Sequence, residues 1–260
     1  MRIGKENWKE KLIDFEKKHP FIPFLGTAGV LLVAAVLIFG GYFIKKSIMY
    51  NEEPVEFADK EFKKAIQKEL KKENIYQQDL DSITVLKIDG NKNIENAGDI
   101  TTCRNVTELE ITNCSITDLS FVGELEHIQS INLKGNNIVS LDGLQKATTL
   151  KEVILDNNYI SDLEVLGQME QLESLSLANN NISVLPDNLC NMDNLLYLNL
   201  SSNRLVDIAG LNGLINLIKL DISANKLSIR IYMNNMPKLQ NLNLSNNAFV
   251  EMDTLGELPQ

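Results

Sequence analysis

One short pattern recurs seven times in register between residues 106 and 249, with successive starting points 22 or 23 residues apart. Each copy has the form L-x-x-L-x-L-x-x-N/C-x-L, in which other apolar residues also occupy the leucine places, and a weaker copy begins at Ile83. The full copies begin at Val106, Ile128, Leu150, Leu172, Leu195, Leu217 and Leu239. A segment this short cannot bury its own apolar side, so successive copies have to stack and share a core. The period therefore predicts a solenoid of about eight coils.

The L-x-L part of each copy has the alternation of a short β-strand. Successive side chains of a strand point to opposite sides, so both leucine places face the core while the residue between them faces solvent. Leu109 with Ile111 is one such inward pair. Later apolar residues, such as Ile138 and Leu141, line the returning half of the coil. We expect short turns or single-turn helices there.

A polar residue stands just after the strand in nearly every copy. An asparagine side chain offers donors and an acceptor, so a stacked column can satisfy turn backbone groups that would otherwise be buried unpaired at about 1–3 kcal/mol each. We predict that this column points inward and locks the coils together. Cys114 occupies the same place, where we expect a buried structural thiol and not a catalytic or redox-sensing one. The column comprises Cys114, Asn136, Asn158, Asn180, Asn203, Asn225 and Asn247.

The pattern resembles the leucine-rich repeat, and its 22-residue length is similar to that of the internalin-like class found in bacteria. This resemblance implies an α/β solenoid, a right-handed coil with parallel strands on its concave face. It also implies a helical N-terminal cap at residues 55–82, followed by repeats over residues 83–260. Within the cap, Phe62, Ile66 and Leu70 mark an apolar helix face that follows Asp59, a residue type that caps helix N-termini.

Residues 21–44 contain no charged side chain and are largely apolar. A helix of these 24 residues would rise about 36 Å, enough to cross a hydrocarbon layer of about 30 Å. We therefore predict a transmembrane helix at 21–44, a cytoplasmic tail at 1–20 and a linker at 45–54. A cleaved signal peptide is the alternative, but the charged lead and the apolar run both exceed its usual size, and no A-x-A-like site follows.

The basic residues that flank this helix predict its orientation. Six lie before it, and five lie in the twenty residues after it. Lys60, Lys63 and Lys64 count for less if they belong to a folded domain, which places the N-terminus inside and the acidic bulk outside. We accordingly expect an uncleaved signal anchor in the plasma membrane, a single pass, and extracytoplasmic repeats in the cell envelope.

Charge and residue usage exclude several classes of function. Residues 51–260 carry 17 Lys/Arg against 31 Asp/Glu, a poor match for nucleic acid phosphates. Three cysteines and two histidines are too few and too scattered for a Cys-rich zinc site or a disulfide scaffold. The only candidates for acid–base catalysis are carboxylate pairs such as Glu108 and Glu110, and an open sheet cannot exclude water from them. We predict no catalytic residue, no metal and no cofactor.

The remaining candidates for function are strand residues that face solvent on the concave side. Most are small and polar, whereas interface hot spots usually need aromatic or other large side chains. Tyr197 and Ile154 supply apolar contact area, and an acidic group could steer a basic partner or simply aid solubility. The resemblance implies recognition of a protein ligand of unknown identity through this face, with cell-surface adhesion or host interaction as the alternative. The predicted partner-binding residues are Glu108, Glu110, Glu152, Ile154, Asp156, Tyr197 and Lys219.

The repeats run to the end of the sequence. By the period, a further copy would begin at residue 261, and a bare last coil would expose Leu242, Leu244 and Phe249 beside an unpaired strand. We expect either that the sequence is a fragment of a longer array, or that a partner or a second copy covers this end. The latter case predicts self-association through the C-terminal coil.

Overall fold

The computed structural model describes residues 53–228, 233 and 235–249, all of which except Glu53 lie in one compact unit, Pro54–Gln260. The predicted tail at 1–20, the predicted transmembrane helix at 21–44 and most of the predicted linker lie outside the described residues. Their boundaries therefore stay predictions. Within the described ranges, none of the helices combines the length and the apolar character needed to cross a bilayer.

Eight short strands form one sheet in which each strand pairs in parallel with the next one along the chain. The pairing follows the repeat period, so that Leu109 lies beside Ile131 and Val153 lies beside Leu175. The strands are β1 Val85–Asp89, β2 Glu108–Thr112, β3 Ser130–Asn132, β4 Glu152–Ile154, β5 Ser174–Ser176, β6 Tyr197–Asn199, β7 Lys219–Asp221 and β8 Asn241–Asn243. The predicted parallel-strand solenoid is confirmed.

The inward side of the sheet packs against the returning half of every coil. Leu109 and Ile111 are buried, as the alternation predicts, and so are Ile138 and Leu141 beyond the turn. Short 3-10 helices lie on the return, in agreement with the expected single-turn helices. They are Gly98–Thr102, Ser120–Glu124, Leu144–Lys146, Glu164–Gln168, Asp187–Asn191 and Ala209–Leu211. Because each coil packs on its neighbours, the buried side chains form one continuous core.

Among the described residues, α1 at Lys60–Leu70 and α2 at Gln77–Leu80 precede the first strand. α1 begins where the Asp59 carboxylate accepts hydrogen bonds from two backbone amides of the first turn, at 2.7 and 2.9 Å. Phe62 and Ile66, on the inner side of α1, are fully buried. The helix thereby adds its apolar side to the core at the N-terminal end of the repeats.

Each turn after a strand contains one residue in the left-handed backbone region, directly before the place of the asparagine column. These residues are Gly90, Asn113, Gly135, Asn157, Asn179, Ser202, Ala224 and Asn246. Glycine tolerates this conformation because it lacks a Cβ, and asparagine is tolerated better than most other residues. Alanine is not, yet Ala224 adopts φ +54°. This conformational requirement was not part of the predicted pattern.

Candidate interaction surface

The outward side of the sheet consists of side-chain columns that run from strand to strand. The column that we call the first outward column contains Val85, Glu108, Ser130, Glu152, Ser174, Tyr197, Lys219 and Asn241. Neighbouring strands in a sheet are about 4.8 Å apart, so adjacent members of the column can act on one ligand.

Four of the predicted partner-binding residues share the first outward column. Glu108, Glu152, Tyr197 and Lys219 are all exposed, and Tyr197 retains 47% of its accessible surface. Glu108 and Lys219 are five strand spacings apart, or about 24 Å. The fold therefore brings these four side chains onto one line, with carboxylates towards one end and the aromatic ring and the cation towards the other.

Glu110 lies in a different outward column and is partly neutralised. Its Oε2 lies 2.9 Å from Lys87 Nζ, across the pairing of β1 with β2. This hydrogen bond and the charge of Glu110 raise the pKa of Lys87. Because the lysine is exposed and solvent screens the pair, the contact adds little to stability. Its consequence is that Glu110 contributes less than Glu108 to an acidic surface.

Asp156 is less available to a ligand than the sequence predicts. Its Oδ1 accepts the Ser176 hydroxyl at 2.6 Å and the Ala178 backbone amide at 2.9 Å. The residue is half-buried. Its carboxylate therefore links its own coil to the next one and is only partly open to a ligand. Ile154 is also half-buried beside Ser176, and it adds a limited apolar area to the face.

Other outward residues also form side-chain hydrogen bonds with one another. Asn199 Nδ2 donates to Ser176 Oγ at 3.1 Å, and Asn243 Nδ2 donates to Asp221 Oδ2 at 2.9 Å. Burial acts to raise the pKa of Asp221, but hydrogen bonds from Ser223 and Asn243 outweigh it, and the pKa is lowered. Much of the polar surface outside the first outward column is thus engaged within the sheet.

All three outward residues of β1, Val85, Lys87 and Asp89, were missed by the sequence reasoning. Asp89 accepts the Thr112 hydroxyl at 2.7 Å and the Asn113 side-chain amide at 2.8 Å, and these bonds lower its pKa. Val85 begins the first outward column and is 42% exposed. The alternation V-L-K-I-D was the available signal, but the weak first copy of the repeat obscured it.

The asparagine column points into the solenoid. Asn136, Asn158, Asn180, Asn203 and Asn225 are buried, and Asn247 is half-buried. Asn180 is representative: its Oδ1 accepts the Ile160 amide at 3.0 Å, and its Nδ2 donates to the Leu155 and Leu177 carbonyls, each at 3.0 Å. Each asparagine of the column therefore joins its own coil to the preceding one.

The cysteines lie in different surroundings. Cys114 is buried in the asparagine column, with its Sγ 3.3 Å from the Thr112 carbonyl oxygen, and burial raises its pKa. Burial raises the pKa of Cys103 to about 11. Cys190 is only partly buried. The two buried thiols are therefore poorly suited to nucleophilic chemistry.

A second set of polar side chains joins the coils just before five of the eight strands, β2 and β4 to β7. Asn194 Nδ2 donates to the Glu170 carbonyl at 2.9 Å, and Asn216 Nδ2 donates to the Asp193 carbonyl at 2.7 Å. The set comprises Asn105, Thr149, Gln171, Asn194 and Asn216. Sequence reasoning missed it because the residue type changes from coil to coil and only the ability to donate is shared.

A metal site or a ligand pocket requires a particular arrangement of the described residues. Within them, no three His, Cys, Asp or Glu side chains come together in a group that could hold a metal ion. An apolar cavity of about 10 Å³ lies among Leu166, Leu189 and Leu198, far below the several hundred Å³ of a typical ligand pocket.

Residues 148–205 match a family model described as leucine rich repeat. The fold is a leucine-rich repeat solenoid. No curated protein sequence matches the chain at a significant level.

Solved structures extend the similarity beyond those residues. Internalin C2 of Listeria monocytogenes is 24% identical, with a TM-score of 0.66 over 78% of this chain and 94% of that one. Listeria monocytogenes InlP is 22% identical, with a TM-score of 0.59 over 76% of this chain and 68% of that one. A leucine-rich repeat protein of Leptospira interrogans is 26% identical, with a TM-score of 0.53 over 64% of this chain and 51% of that one. The structural similarity to internalins is confirmed.

Proposed function

We propose that this leucine-rich repeat protein is a non-enzymatic scaffold that binds a protein partner through the outward face of its sheet. The observation that carries this proposal is the first outward column. Glu108, Glu152, Tyr197 and Lys219 lie exposed along one line, and Glu152 Oε2 also accepts the Ser130 hydroxyl of the same column at 3.2 Å. Many of the polar side chains around this column form hydrogen bonds within the sheet.

The column combines the two kinds of group that recognition needs. An aromatic side chain such as Tyr197 loses little conformational entropy on binding and supplies apolar area with a polar tip. Charges at the rim of an interface act more on the rate and selectivity of association than on affinity. Glu108 and Glu152 are therefore expected to steer a partner onto the face that Tyr197 then anchors.

We further propose that residues 21–44 anchor the chain in the plasma membrane with the repeats outside. The uncharged apolar run supports an anchor. The first turns of α1 contain Lys60, Lys63 and Lys64. Because these lysines belong to the folded cap, they carry less weight than linker lysines in predicting which side of the membrane the repeats occupy. Residues 45–56 span at most ~40 Å when extended, which keeps partners near the membrane. An envelope protein is therefore the favoured partner.

Photo-crosslinking in intact cells tests the binding proposal. A photoreactive residue at position 197 is expected to trap a discrete partner, whereas the same group at Val139, which is 58% exposed outside the sheet, is not. The substitutions E108K and E152K should reduce the adduct at position 197. Equal adducts at both positions, or adducts unaffected by the charge reversals, would contradict the assignment of the face.

Topology needs its own measurement. A protease added outside intact cells should cleave the repeats, and carbonate washing should leave the chain in the membrane fraction. Protection of the repeats in intact cells but not in opened ones would overturn the outward orientation.

Adhesion to another cell is the second candidate function, because the repeat class resembles that of internalins. The same crosslinking distinguishes the two: an adduct at position 197 in a pure culture supports an envelope partner, and an adduct that appears only when other cells are added supports adhesion.

A further inference from the structure

The outer side of α1 carries a basic surface in which Gln67 is an uncharged member. At 100° per residue, the four lysines within α1 fall in one sector of about 140°, on the side away from Phe62 and Ile66. Lys71 follows them as the C-cap residue of the helix. Those two apolar residues are fully buried against the core. The lysines are exposed, except for Lys63, which is half-buried. The members of this surface, which we call the basic face, are Lys60, Lys63, Lys64, Lys68 and Lys71.

Carboxylates do not cancel the basic face. Glu61 lies at its border and pairs with Lys64 at 2.6 Å. Glu69 lies on the flank, about 100° beyond the nearest lysine of the sector. Lys72, which follows the helix, forms an ion pair with Asp79, in which Nζ lies 2.5 Å from Oδ1. Four lysines of the face therefore remain without an ion-pair partner among the described residues.

This surface stands out against the charge of its surroundings. Residues 51–260 carry 17 Lys/Arg against 31 Asp/Glu, yet residues 60–72 carry six lysines against two glutamates. Glu56 and Glu73 flank the helix in sequence but lie outside it. A segregated basic face on an acidic unit is suited to a polyanionic surface.

We propose that the basic face docks on the anionic phosphate headgroups of the bilayer that residues 21–44 anchor, an inference that rests on the proposed anchoring. Lysine ammonium groups near a membrane are attracted by the negative potential of anionic lipids within about a Debye length of the surface. At most ~53 Å of extended chain separates residue 44 from Lys60, so α1 is within reach of the headgroups. The apolar side of α1 is used by the core, so the contact is electrostatic and involves no insertion.

The full chain, reconstituted in vesicles, tests this docking. A fluorophore is attached at N74C in a C190S background, because Asn74 is exposed and uncharged and the two remaining cysteines are buried. Quencher groups sit on the lipid headgroups of vesicles made of phosphatidylcholine, with or without about 30% phosphatidylglycerol. We expect at least about threefold stronger quenching with the anionic lipid, and loss of the difference in about 0.5 M salt. A response to net charge alone would have the opposite sign, because the acidic unit as a whole is repelled.

Variants separate the basic face from lysines in general. The substitutions K60Q, K68Q and K71Q together should abolish the extra quenching. The matched control K134Q, K146Q and K226Q removes three exposed lysines from the repeats and should preserve it. Equal quenching in both lipids, or equal loss in both triple variants, would overturn the docking.

Two further outcomes are distinguishable. If carbonate removes the chain from both kinds of vesicle, the anchor has failed, whereas a retained chain with lipid-independent quenching refutes only the docking.

Inorganic polyphosphate is added to neutral vesicles as a soluble polyanion. If it changes the N74C fluorescence as strongly as the anionic lipid does, and K60Q/K68Q/K71Q removes that change, the face is a general polyanion site and the membrane assignment is wrong.

Discussion

Asn158 accepts the backbone N–H of Ile138 through its Oδ1 at 3.0 Å, although the two residues belong to successive coils. The same side chain donates through Nδ2 to the Leu133 carbonyl of the preceding coil at 3.1 Å and to the Leu155 carbonyl of its own coil at 3.0 Å. All these contacts are buried. One amide thus satisfies backbone groups that water cannot reach.

Replacing Asn158 by alanine is therefore expected to lower the free energy of unfolding by about 2–4 kcal/mol, because buried backbone donors and acceptors lose their partner. Urea denaturation followed by circular dichroism measures the change. The matched control is Asn137→Ala, an exposed asparagine outside the column, which should cost less than about 0.5 kcal/mol. Similar losses for both variants would show that the column does not hold the coils together.

The sequence predicts most of this fold because the strongest constraint on it is apolar and periodic. Places such as Leu109 and Ile111 must face the core in every coil, so counting along the chain is enough to find them. The asparagine column is readable for the same reason, since one residue type repeats at one spacing. Helix α1 is readable from its apolar face and from Asp59 at its start.

The candidate surface is less predictable because it depends on contacts between side chains of different coils. The sequence places Asp156 and Glu152 on the same outward side. Only the structure shows that the Asp156 carboxylate accepts hydrogen bonds from the Ser176 hydroxyl and the Ala178 amide. The left-handed turn residues were not predicted for another reason. Gly90 and Ala224 share a backbone conformation but no side-chain chemistry. Patterns of residue type do not reveal such requirements.

Ala224 is expected to be a strained position. It adopts φ +54°, where an alanine Cβ crowds the following carbonyl, while equivalent turns use asparagine or glycine more often. Ala224→Asn should raise the free energy of unfolding by about 0.5–1 kcal/mol. Ala209→Asn, at an exposed alanine outside the left-handed positions, is the control and should give no gain. A gain of equal size at both positions would point to a general effect of asparagine.

Two glycines separate backbone strain from close packing. Gly143 and Gly90 both have positive φ, +106° and +75°. A Cβ on Gly143 would lie 2.8 Å from the Leu119 carbonyl oxygen, whereas one on Gly90 would meet nothing within 4 Å. Gly90→Ala should therefore cost about 1–2 kcal/mol from conformation alone, and Gly143→Ala about 1–3 kcal/mol more from overpacking. Thermal unfolding of the two variants provides the comparison, and equal losses would mean that the coil contact at Gly143 relaxes.

The thiols should react in a fixed order. Burial raises the pKa of both Cys103 and Cys114, and the thiolate is the reactive form, so neither should react with an aromatic disulfide reagent at neutral pH in the folded chain. Cys190 is partly exposed and should account for the native reaction. Titration should give one thiol in buffer, three in denaturant, and none in buffer for Cys190→Ser. Rapid native reaction of Cys190→Ser would show that a coil opens at a buried cysteine.

Asp79 should make the stability of the cap depend on acid. Burial acts to raise its pKa, but hydrogen bonds from Lys72 and from the Tyr76 backbone amide outweigh it, and the pKa is lowered. A carboxyl whose pKa is lower in the folded state stabilises the fold above its unfolded pKa of about 4, and this contribution is lost as the pH falls through the folded value. Asp79→Asn should therefore be less stable than the parent chain at pH 7, and the two chains should converge at the acid end of a denaturation series. Asp142→Asn, at an exposed carboxylate of the repeats, serves as the control and should follow the parent chain throughout. A constant gap between Asp79→Asn and the parent chain down to the lowest pH would mean that Asp79 stabilises the cap through packing and not through its charge.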